Sequence, residues 1–86
     1  MLSHMEIRYS KAAARALVHM PTNTAQRIRA KIEQYAADPA SVANNVKRLR
    51  DGNEMRLRVG DWRVVFRADG EVLAIIRIAP RGEAYD

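Results

Sequence analysis

The sequence predicts an α+β fold in which a mainly antiparallel four-stranded sheet packs against an N-terminal helix pair, in the order β-α-α-β-β-β. Two observations predict it. Before Asp38-Pro39, apolar residues recur every three or four positions, which is the spacing of amphipathic helices. From about residue 46 they alternate with polar residues, which is typical of half-buried strands. No repeat or long linker divides the 86 residues, so we expect one domain over residues 5–86.

A short strand candidate, Met5–Tyr9, precedes the first helix. Ser10 follows it and is placed to cap the helix, because a serine hydroxyl can accept a hydrogen bond from an amide of the first turn. The apolar positions of this helix recur at helical spacing: Ala13, Leu17 and Met20. Pro21 is expected to end it.

Thr22 and Asn23 are the candidate N-caps of the second helix. Gln26 stands three residues after Asn23, as in a capping box. The apolar stripe of this helix is Ile28, Ile32 and Tyr35. The helix should end at Asp38, because a residue before proline is pushed out of the α region. A short turn between the two helices predicts an antiparallel pair.

The first hairpin is predicted in detail. Gly60-Asp61 suits a two-residue turn with glycine at the first central position. The register that follows pairs Val59 with Trp62, Leu57 with Val64 and Met55 with Phe66 on one face, and Arg58 with Arg63, Arg56 with Val65 and Glu54 with Arg67 on the other. The helices should cover the apolar face and leave a cationic face open.

The last strand presents a conflict that the sequence leaves open. Asp69-Gly70 is a second hairpin signal, and it leads into the apolar run Val72–Ile78, which is typical of a central strand covered on both faces. In a regular register Arg77 would share the apolar face with Trp62. Either a bulge or a different loop length would relieve this conflict.

Composition excludes several classes of function. Fifteen Lys and Arg against ten Asp and Glu give a net charge of +5, which favours nucleic acid or an acidic protein as a partner. The chain has no cysteine, so disulfides and thiol catalysis are excluded. His4 and His19 have neither a carboxylate nor a second histidine at ligand spacing, so we expect no metal and no cofactor.

The N-terminus and the apolar runs bear on location. No run is long enough to cross a bilayer, and the N-terminus lacks the apolar core of a signal peptide, so we expect a cytoplasmic protein without membrane contact. Ser3-His4-Met5 resembles the remnant of an expression vector. This resemblance favours a native start at Met5, with residues 1–4 as a non-native or disordered extension, and we leave residues 1–4 out of the functional argument.

Three arginines and one tyrosine form the candidate catalytic set: Arg56, Arg63, Arg81 and Tyr85. Metal-free RNA cleavage uses the 2′-hydroxyl as nucleophile, so the protein must orient it, stabilise the transition-state charge and manage two proton transfers. Arg63 and Arg81 suit the charge stabilisation, because guanidinium offers forked donors to phosphate oxygens. Permanent charge makes arginine a poor proton carrier. Tyr85 is the candidate general base, or a platform on which a base stacks.

A second set of cations is expected to contact the RNA backbone: Lys47, Arg48 and Arg50 in a basic loop, and Arg58 and Arg67 on the strands. A plainer interpretation exists for each of them, because a solvated sheet face or loop carries the same residues. Tyr85 also has a structural alternative, which is packing against the core or a protein partner.

Residues 55–66 (MRLRVGDWRVVF), followed by residues 78–85 (IAPRGEAY), resemble the RelE/ParE superfamily of toxins from bacterial type II toxin-antitoxin modules. The resemblance covers the chain from Met5 and favours the RelE branch. It implies an mRNA interferase, a ribosome-dependent endoribonuclease that inhibits translation by cutting mRNA in the ribosomal A site until a cognate antitoxin neutralises it.

Carried over by position, the resemblance places Arg56 where the family has a catalytic lysine, and Arg63 at its hairpin arginine. Arg81 takes the place of the tail arginine and Tyr85 that of the C-terminal tyrosine. Glu54 departs from the pattern, since ribosome-dependent members usually have a basic residue there. An acidic group at this position should weaken phosphate binding unless Arg67 neutralises it across the hairpin.

Two alternatives share the same fold. A ParE-type toxin inhibits DNA gyrase by protein contact, and a catalytically idle homologue acts as co-repressor with its antitoxin. Arg63, Arg81 and Tyr85 favour the ribonuclease, whereas Glu54 and the lack of a second lysine leave the gyrase inhibitor open. All three imply an antitoxin partner, and any contact with DNA would be made through that antitoxin. The ribonuclease also implies the ribosome and mRNA as partners.

Overall fold

The computed structural model describes residues 4–49 and 52–83. Its elements are β1 (Glu6–Tyr9), α1 (Lys11–His19), α2 (Thr22–Ala37), a 3-10 segment (Pro39–Asn45), β2 (Val46–Arg48), β3 (Met55–Val59), β4 (Trp62–Ala68) and β5 (Val72–Pro80). None of the helices in these two ranges is long and apolar enough to span a bilayer.

The strands form one mixed sheet in the order β1-β5-β4-β3-β2. β1 runs parallel to β5, and the other neighbouring strands pair antiparallel. The predicted α+β class is confirmed, but the described sheet has five strands rather than four. The additional strand, β2, was predicted as part of a basic loop. Its three residues are too few to show an alternating pattern, and two of them are exposed cations at the sheet edge.

Both helices pack on the same face of the sheet. Ala13 and Leu17 of α1 and Ile28 and Ile32 of α2 belong to one buried cluster with Phe66 of β4. The Tyr35 ring meets the Phe66 ring edge-on, with centroids 4.8 Å apart at an interplanar angle of 60°. The apolar stripes predicted from helical spacing are therefore the residues that build the core.

The predicted N-cap is confirmed for α1 and wrong for α2. The Ser10 hydroxyl accepts a hydrogen bond from the Ala13 amide at 3.0 Å. α2 begins directly after Pro21, which occupies the N-cap position with φ −56°, while Asn23 lies inside the first turn and its side chain bonds the Thr24 amide. A proline is tolerated at this position because the helix does not need its missing N–H, and its ψ of 143° leads the chain into the helix from an extended conformation.

Both predicted hairpin turns are confirmed. Gly60 has φ +58°, and the β3–β4 register is the one predicted from the turn. At the second turn the Asp69 carboxylate accepts hydrogen bonds from the Glu71 and Val72 amides at 2.9 and 2.8 Å. These bonds, led by the one from Val72, hold the pKa of Asp69 below its usual value, so the carboxylate keeps its charge while it closes the turn.

A bulge in β5 resolves the conflict over Arg77. The register shifts so that Val65 pairs with Arg77 and Phe66 pairs with Ile75, which leaves Ile76 as the extra residue. Arg77 therefore lies on the face away from the helices. The apolar run of β5 predicted a strand covered on both faces, but the helices cover only one of them. Ile76 is accordingly only half-buried.

Ser10 also holds the bulge. Its hydroxyl donates to the Ile76 carbonyl at 2.7 Å, and its amide donates to the Ile75 carbonyl at 2.9 Å. We expect Ser10→Ala to lower the free energy of unfolding by about 1–2 kcal/mol, because it removes a helix cap and the partner of a part-buried carbonyl. Urea unfolding measures this loss. Ser41→Ala, which also removes side-chain hydrogen bonds but at an exposed site, should cost less, and equal losses would contradict the role of Ser10.

Candidate nucleic-acid interface

The sheet face that points away from the helices carries most of the cations predicted to contact RNA. Side chains alternate between faces along a strand, so the register decides which of them share a face. By this register the described cations of that face are Arg8, Lys47, Arg56, Arg58, Arg63, Arg67 and Arg77. We call this surface the arginine face.

The centre of the arginine face is buried. Val65 is 0% exposed, although it lies outside the core cluster beneath the helices. Arg56 pairs with Val65 from β3 and Arg77 pairs with it from β5, and both arginines are half-buried. A guanidinium on a packed stem loses fewer conformations on binding phosphate than a fully exposed one. The middle of this face therefore presents partly ordered cations around an apolar floor.

Arg63 is held by the turn that precedes it. Its Nη1 donates to the carbonyl of Gly60 at 2.9 Å and to the carbonyl of Trp62 at 3.0 Å. The guanidinium has five N–H donors on three nitrogens, and these bonds occupy one nitrogen. The half-buried side chain is thus oriented before any ligand arrives.

The segment after β5 is folded against the same turn. The Arg81 amide donates to the Asp61 carbonyl at 2.7 Å, and the Glu83 amide donates to the Pro80 carbonyl at 3.0 Å. Gly82, with φ +92°, provides the left-handed conformation that the third residue of this turn needs. Arg81 is exposed. The backbone therefore brings Arg81 to the end of the sheet at which Arg63 is fixed.

The described residues that were predicted to contact the RNA backbone are exposed, and they lie on different parts of the sheet. Arg58 lies opposite Arg63, next to the turn, and Lys47 lies opposite Arg56 on the edge strand. Arg48 is the next residue of β2 after Lys47 and pairs with Met55, so its side chain lies on the opposite face of the sheet from the arginine face. Instead it helps to line a cavity of about 380 Å³ near the Asp69-Gly70 turn, together with Arg67.

Glu54 makes the contact expected of it. Arg67 Nη2 lies 3.4 Å from Glu54 Oε2 across the hairpin, with the Arg67 side chain 61% exposed and that of Glu54 25% exposed. The acidic residue that departs from the family pattern is therefore neutralised by a cation of the arginine face. The far end of the face carries less positive potential than its seven cations suggest.

Two of the predicted site residues, Arg50 and Tyr85, lie outside the described residues. The other two tyrosines, Tyr9 and Tyr35, lie on the helix side of the sheet and not on the arginine face. Burial raises the pKa of Tyr35, and burial raises that of Tyr9 despite the nearby Arg29 cation. Both phenols stay protonated at neutral pH, and both pack with the core cluster. Tyr85 remains the tyrosine proposed for the site.

Arg77 is a cation of the arginine face that the sequence analysis did not select as a candidate. It was read as a problem for the register, whereas the bulge brings it to the centre of the arginine face, and its Nη2 donates to the Glu83 carbonyl at 2.8 Å. The register conflict was the sequence signal that could have identified Arg77. An arginine that a regular register would place toward the core indicates a bulge that turns it to the other face.

The described residues offer no metal site. Among residues 4–49 and 52–83, no three His, Asp or Glu side chains come together as metal ligands. The cations of the arginine face instead fit an anionic ligand, and a phosphodiester matches the forked donors of several arginines.

The chain matches a protein-family model. The model described as the ParE toxin of the type II toxin-antitoxin system parDE covers residues 7–85. A sequence comparison with curated proteins finds no significant match.

Solved structures of other proteins share the fold. The archaeal RelE–RelB complex from Pyrococcus horikoshii is 24% identical over 95% of this chain and 100% of that chain, with a TM-score of 0.78. The RelBE2 toxin-antitoxin complex from Mycobacterium tuberculosis is 21% identical over 92% and 100%, with a TM-score of 0.74. A YoeB/ParE toxin from Agrobacterium tumefaciens is 14% identical over 90% and 99%, with a TM-score of 0.73.

Proposed function

We propose that this chain, which belongs to the ParE toxin family of type II toxin-antitoxin systems within the RelE/ParE superfamily, is a metal-independent endoribonuclease that cuts mRNA on the ribosome. The observation that carries the proposal is the fixed guanidinium of Arg63. It is held by the turn carbonyls at 2.9 and 3.0 Å, at the end of the sheet to which the backbone also fastens Arg81. Prepositioned cations of this kind stabilise charge that develops in a transition state.

In the proposed reaction the 2′-hydroxyl of one nucleotide attacks the adjacent phosphorus. The P–O5′ bond breaks, which leaves a 2′,3′-cyclic phosphate and a free 5′-hydroxyl. Arg63 and Arg81 bind the non-bridging oxygens, whose negative charge grows in the transition state. Arg56 neutralises the same phosphate from β3. Tyr85, as its phenolate, is proposed as the base that takes the 2′-hydroxyl proton, and the departing 5′-oxygen takes its proton from the solvent. The arginines suit neither transfer, because they stay protonated.

The remaining cations are proposed to hold the RNA strand. Phosphate contacts by lysine and arginine release counterions, so they supply affinity without sequence preference. Four exposed cations are proposed for this role: Lys47, Arg48, Arg58 and Arg67. Arg50, which lies outside the described residues, is proposed for it as well. Because the ribosome would position the mRNA, we expect weak cleavage by the protein alone.

A cognate antitoxin is the proposed protein partner. The RelBE2 structure with this fold is a toxin-antitoxin complex, and the archaeal structure is a complex of RelE with RelB. An acidic or amphipathic segment laid along the arginine face would exclude RNA by occupying it, whereas one laid across the helix pair would act at a distance from the cations. Contact with DNA is proposed only through the antitoxin.

The name of the matching family favours a second candidate function, which is inhibition of DNA gyrase. The matching family model is that of ParE, and a ParE-type toxin would inhibit DNA gyrase through protein contact. Such inhibition needs neither the orientation of Arg63 nor a proton carrier. The gyrase inhibitor and the ribonuclease therefore differ in which residues matter, and this makes them separable by experiment.

Induced expression in bacterial cells separates the two candidates. We expect new mRNA 5′ ends within translated frames while plasmid supercoiling stays normal, and we expect both toxicity and new ends to disappear in Arg81→Ala. Loss of negative supercoiling with intact mRNA would contradict the ribonuclease and support the gyrase inhibitor.

Glu54→Gln should strengthen RNA binding. The substitution frees Arg67 to contact a phosphate, and exposed ion pairs are worth up to about 1 kcal/mol, so we expect an affinity gain of up to about fivefold at low salt. The slope of the logarithm of affinity against the logarithm of salt concentration should become steeper by about 0.7. This change corresponds to one more phosphate contact on a single strand.

Binding of a labelled single-stranded RNA at several salt concentrations measures both changes. Glu33→Gln is the matched control, because it removes the same charge from an exposed position of α2, on the other side of the sheet from the arginine face. Equal gains in the two variants would show that only net charge matters. A salt slope that Glu54→Gln leaves unchanged would contradict a phosphate contact by Arg67.

A further inference from the structure

The bulge in β5 gives Arg77 a place that no regular strand would provide. Because Ile76 is the extra residue, Arg77 pairs with Val65 on the arginine face. The bulge is secured from the helix side, where the Ser10 hydroxyl donates to the Ile76 carbonyl at 2.7 Å. The half-buried Arg77 side chain thus starts from a fixed backbone and has a packed stem.

From this position the side chain reaches the segment after β5. Arg77 Nη2 donates to the Glu83 carbonyl at 2.8 Å, across six positions of the chain. The turn Pro80–Glu83 already has two backbone bonds, one from Glu83 to Pro80 and one from Arg81 to Asp61. Among the described residues, the bond from Arg77 is the one that holds the carbonyl of Glu83, the last described residue before Tyr85.

We propose that Arg77 is a positioning residue whose guanidinium anchors the Pro80–Glu83 turn and thereby sets the point from which residues 84–86, with Tyr85, continue. In this role the Arg77 guanidinium acts on catalysis through the turn that it anchors. A charge-assisted hydrogen bond from a half-buried guanidinium is stronger than one between neutral groups, which suits it to hold an exposed turn. The catalytic consequence rests on the proposed ribonuclease function, whereas the anchoring does not.

Amide hydrogen exchange tests the anchoring directly. Arg77→Met keeps a stem of similar shape and removes the donor. We expect the Glu83 amide to exchange about tenfold faster in this variant, because the lost hydrogen bond to a charged group contributes on the order of a tenfold change in the local opening equilibrium. The amide of Phe66 reports global opening and should change little.

Arg8→Met is the matched control for exchange. Arg8 is an exposed arginine of the same face whose described partner is Glu6, and it makes no described contact with the turn. Its loss should leave exchange at Glu83 unchanged. Unchanged exchange in Arg77→Met, or equal acceleration in both variants, would overturn the anchoring.

Cleavage kinetics on programmed ribosomes test the positioning role. Misplaced catalytic groups cost rate, so we expect Arg77→Met to lower kcat tenfold to a hundredfold with KM nearly unchanged. If Arg77 acts through Tyr85, the double variant Arg77→Met/Tyr85→Phe should be no slower than Tyr85→Phe alone. Additive losses, a rise in KM alone, or accelerated exchange with full activity would each overturn the role. Absence of cleavage by the unmodified protein would instead refute the proposed function and leave the exchange result to decide the anchoring.

Discussion

Arg63→Ala should lower the rate of mRNA cleavage on the ribosome by about 10²- to 10³-fold, which is the usual cost of removing one prepositioned donor from a transition state. The side chain is already oriented by the carbonyls of Gly60 and Trp62, so its loss removes an interaction that needs no reorganisation during the reaction. Single-turnover cleavage of mRNA in programmed ribosomes measures the rate without interference from product release.

Two further variants show whether the effect is catalytic. Arg63→Lys keeps the charge but loses the fork, and we expect it to recover only a small part of the rate. Arg67→Ala removes an exposed arginine from the same face and should weaken RNA binding with little change in kcat. The stability of Arg63→Ala should fall by no more than about 1.5 kcal/mol, since only exposed or part-buried hydrogen bonds are lost. A rate within tenfold of the unmodified protein would contradict the role of Arg63.

Phe66→Ala is expected to lower the free energy of unfolding by about 3–5 kcal/mol, which is a large share of the roughly 5–15 kcal/mol of a small domain. Phe66 is 1% exposed, and its ring meets Tyr35 of α2, so truncation leaves a cavity between the sheet and the helices. For a domain of this size each 1 kcal/mol lowers Tm by about 4–8 °C. Thermal and urea unfolding both measure the loss.

Val18→Ala is the matched control for this loss. Val18 is the exposed large apolar residue of α1, with 76% of its surface accessible. Its truncation removes little packing, so stability should change by less than about 0.5 kcal/mol. A loss below 1 kcal/mol in Phe66→Ala would contradict the core described above.

The local chemistry of the turns made the β3–β4 hairpin predictable. The two-residue turn requires a positive φ, which Gly60 can adopt. A turn of this length then fixes the pairing of every residue from Met55 to Phe66. One consequence was the contact between Glu54 and Arg67, which the structure shows at 3.4 Å. Helical spacing predicted the buried face in the same way, since the residues it selected belong to the core cluster.

Other features depend on contacts that a sequence pattern does not contain. β2 forms because it pairs with Met55–Leu57, and three residues carry no period of their own. The bulge at Ile76 depends on Ser10, which is 66 positions away in the chain. The anchoring contact between Arg77 and Glu83 follows from that bulge, so it could not be predicted before the choice between a bulge and a longer loop was settled.

The start of α2 shows a different limit. Thr22, Asn23 and Gln26 fit a capping box, yet the helix begins directly after Pro21 and Asn23 lies in its first turn. Capping residues and good first-turn residues are of similar types, and the proline is compatible with the earlier start. Local propensity therefore determined that a helix exists here but not the residue at which it begins.

The ribonuclease assignment is tested most directly by adding the purified protein to ribosomes programmed with a defined mRNA and mapping the mRNA ends by primer extension. We predict cleavage within the A-site codon by the unmodified protein, and a loss of two to three orders of magnitude in Arg63→Ala. Intact mRNA in the presence of the folded protein, or cleavage that Arg63→Ala leaves unchanged, would contradict the assignment.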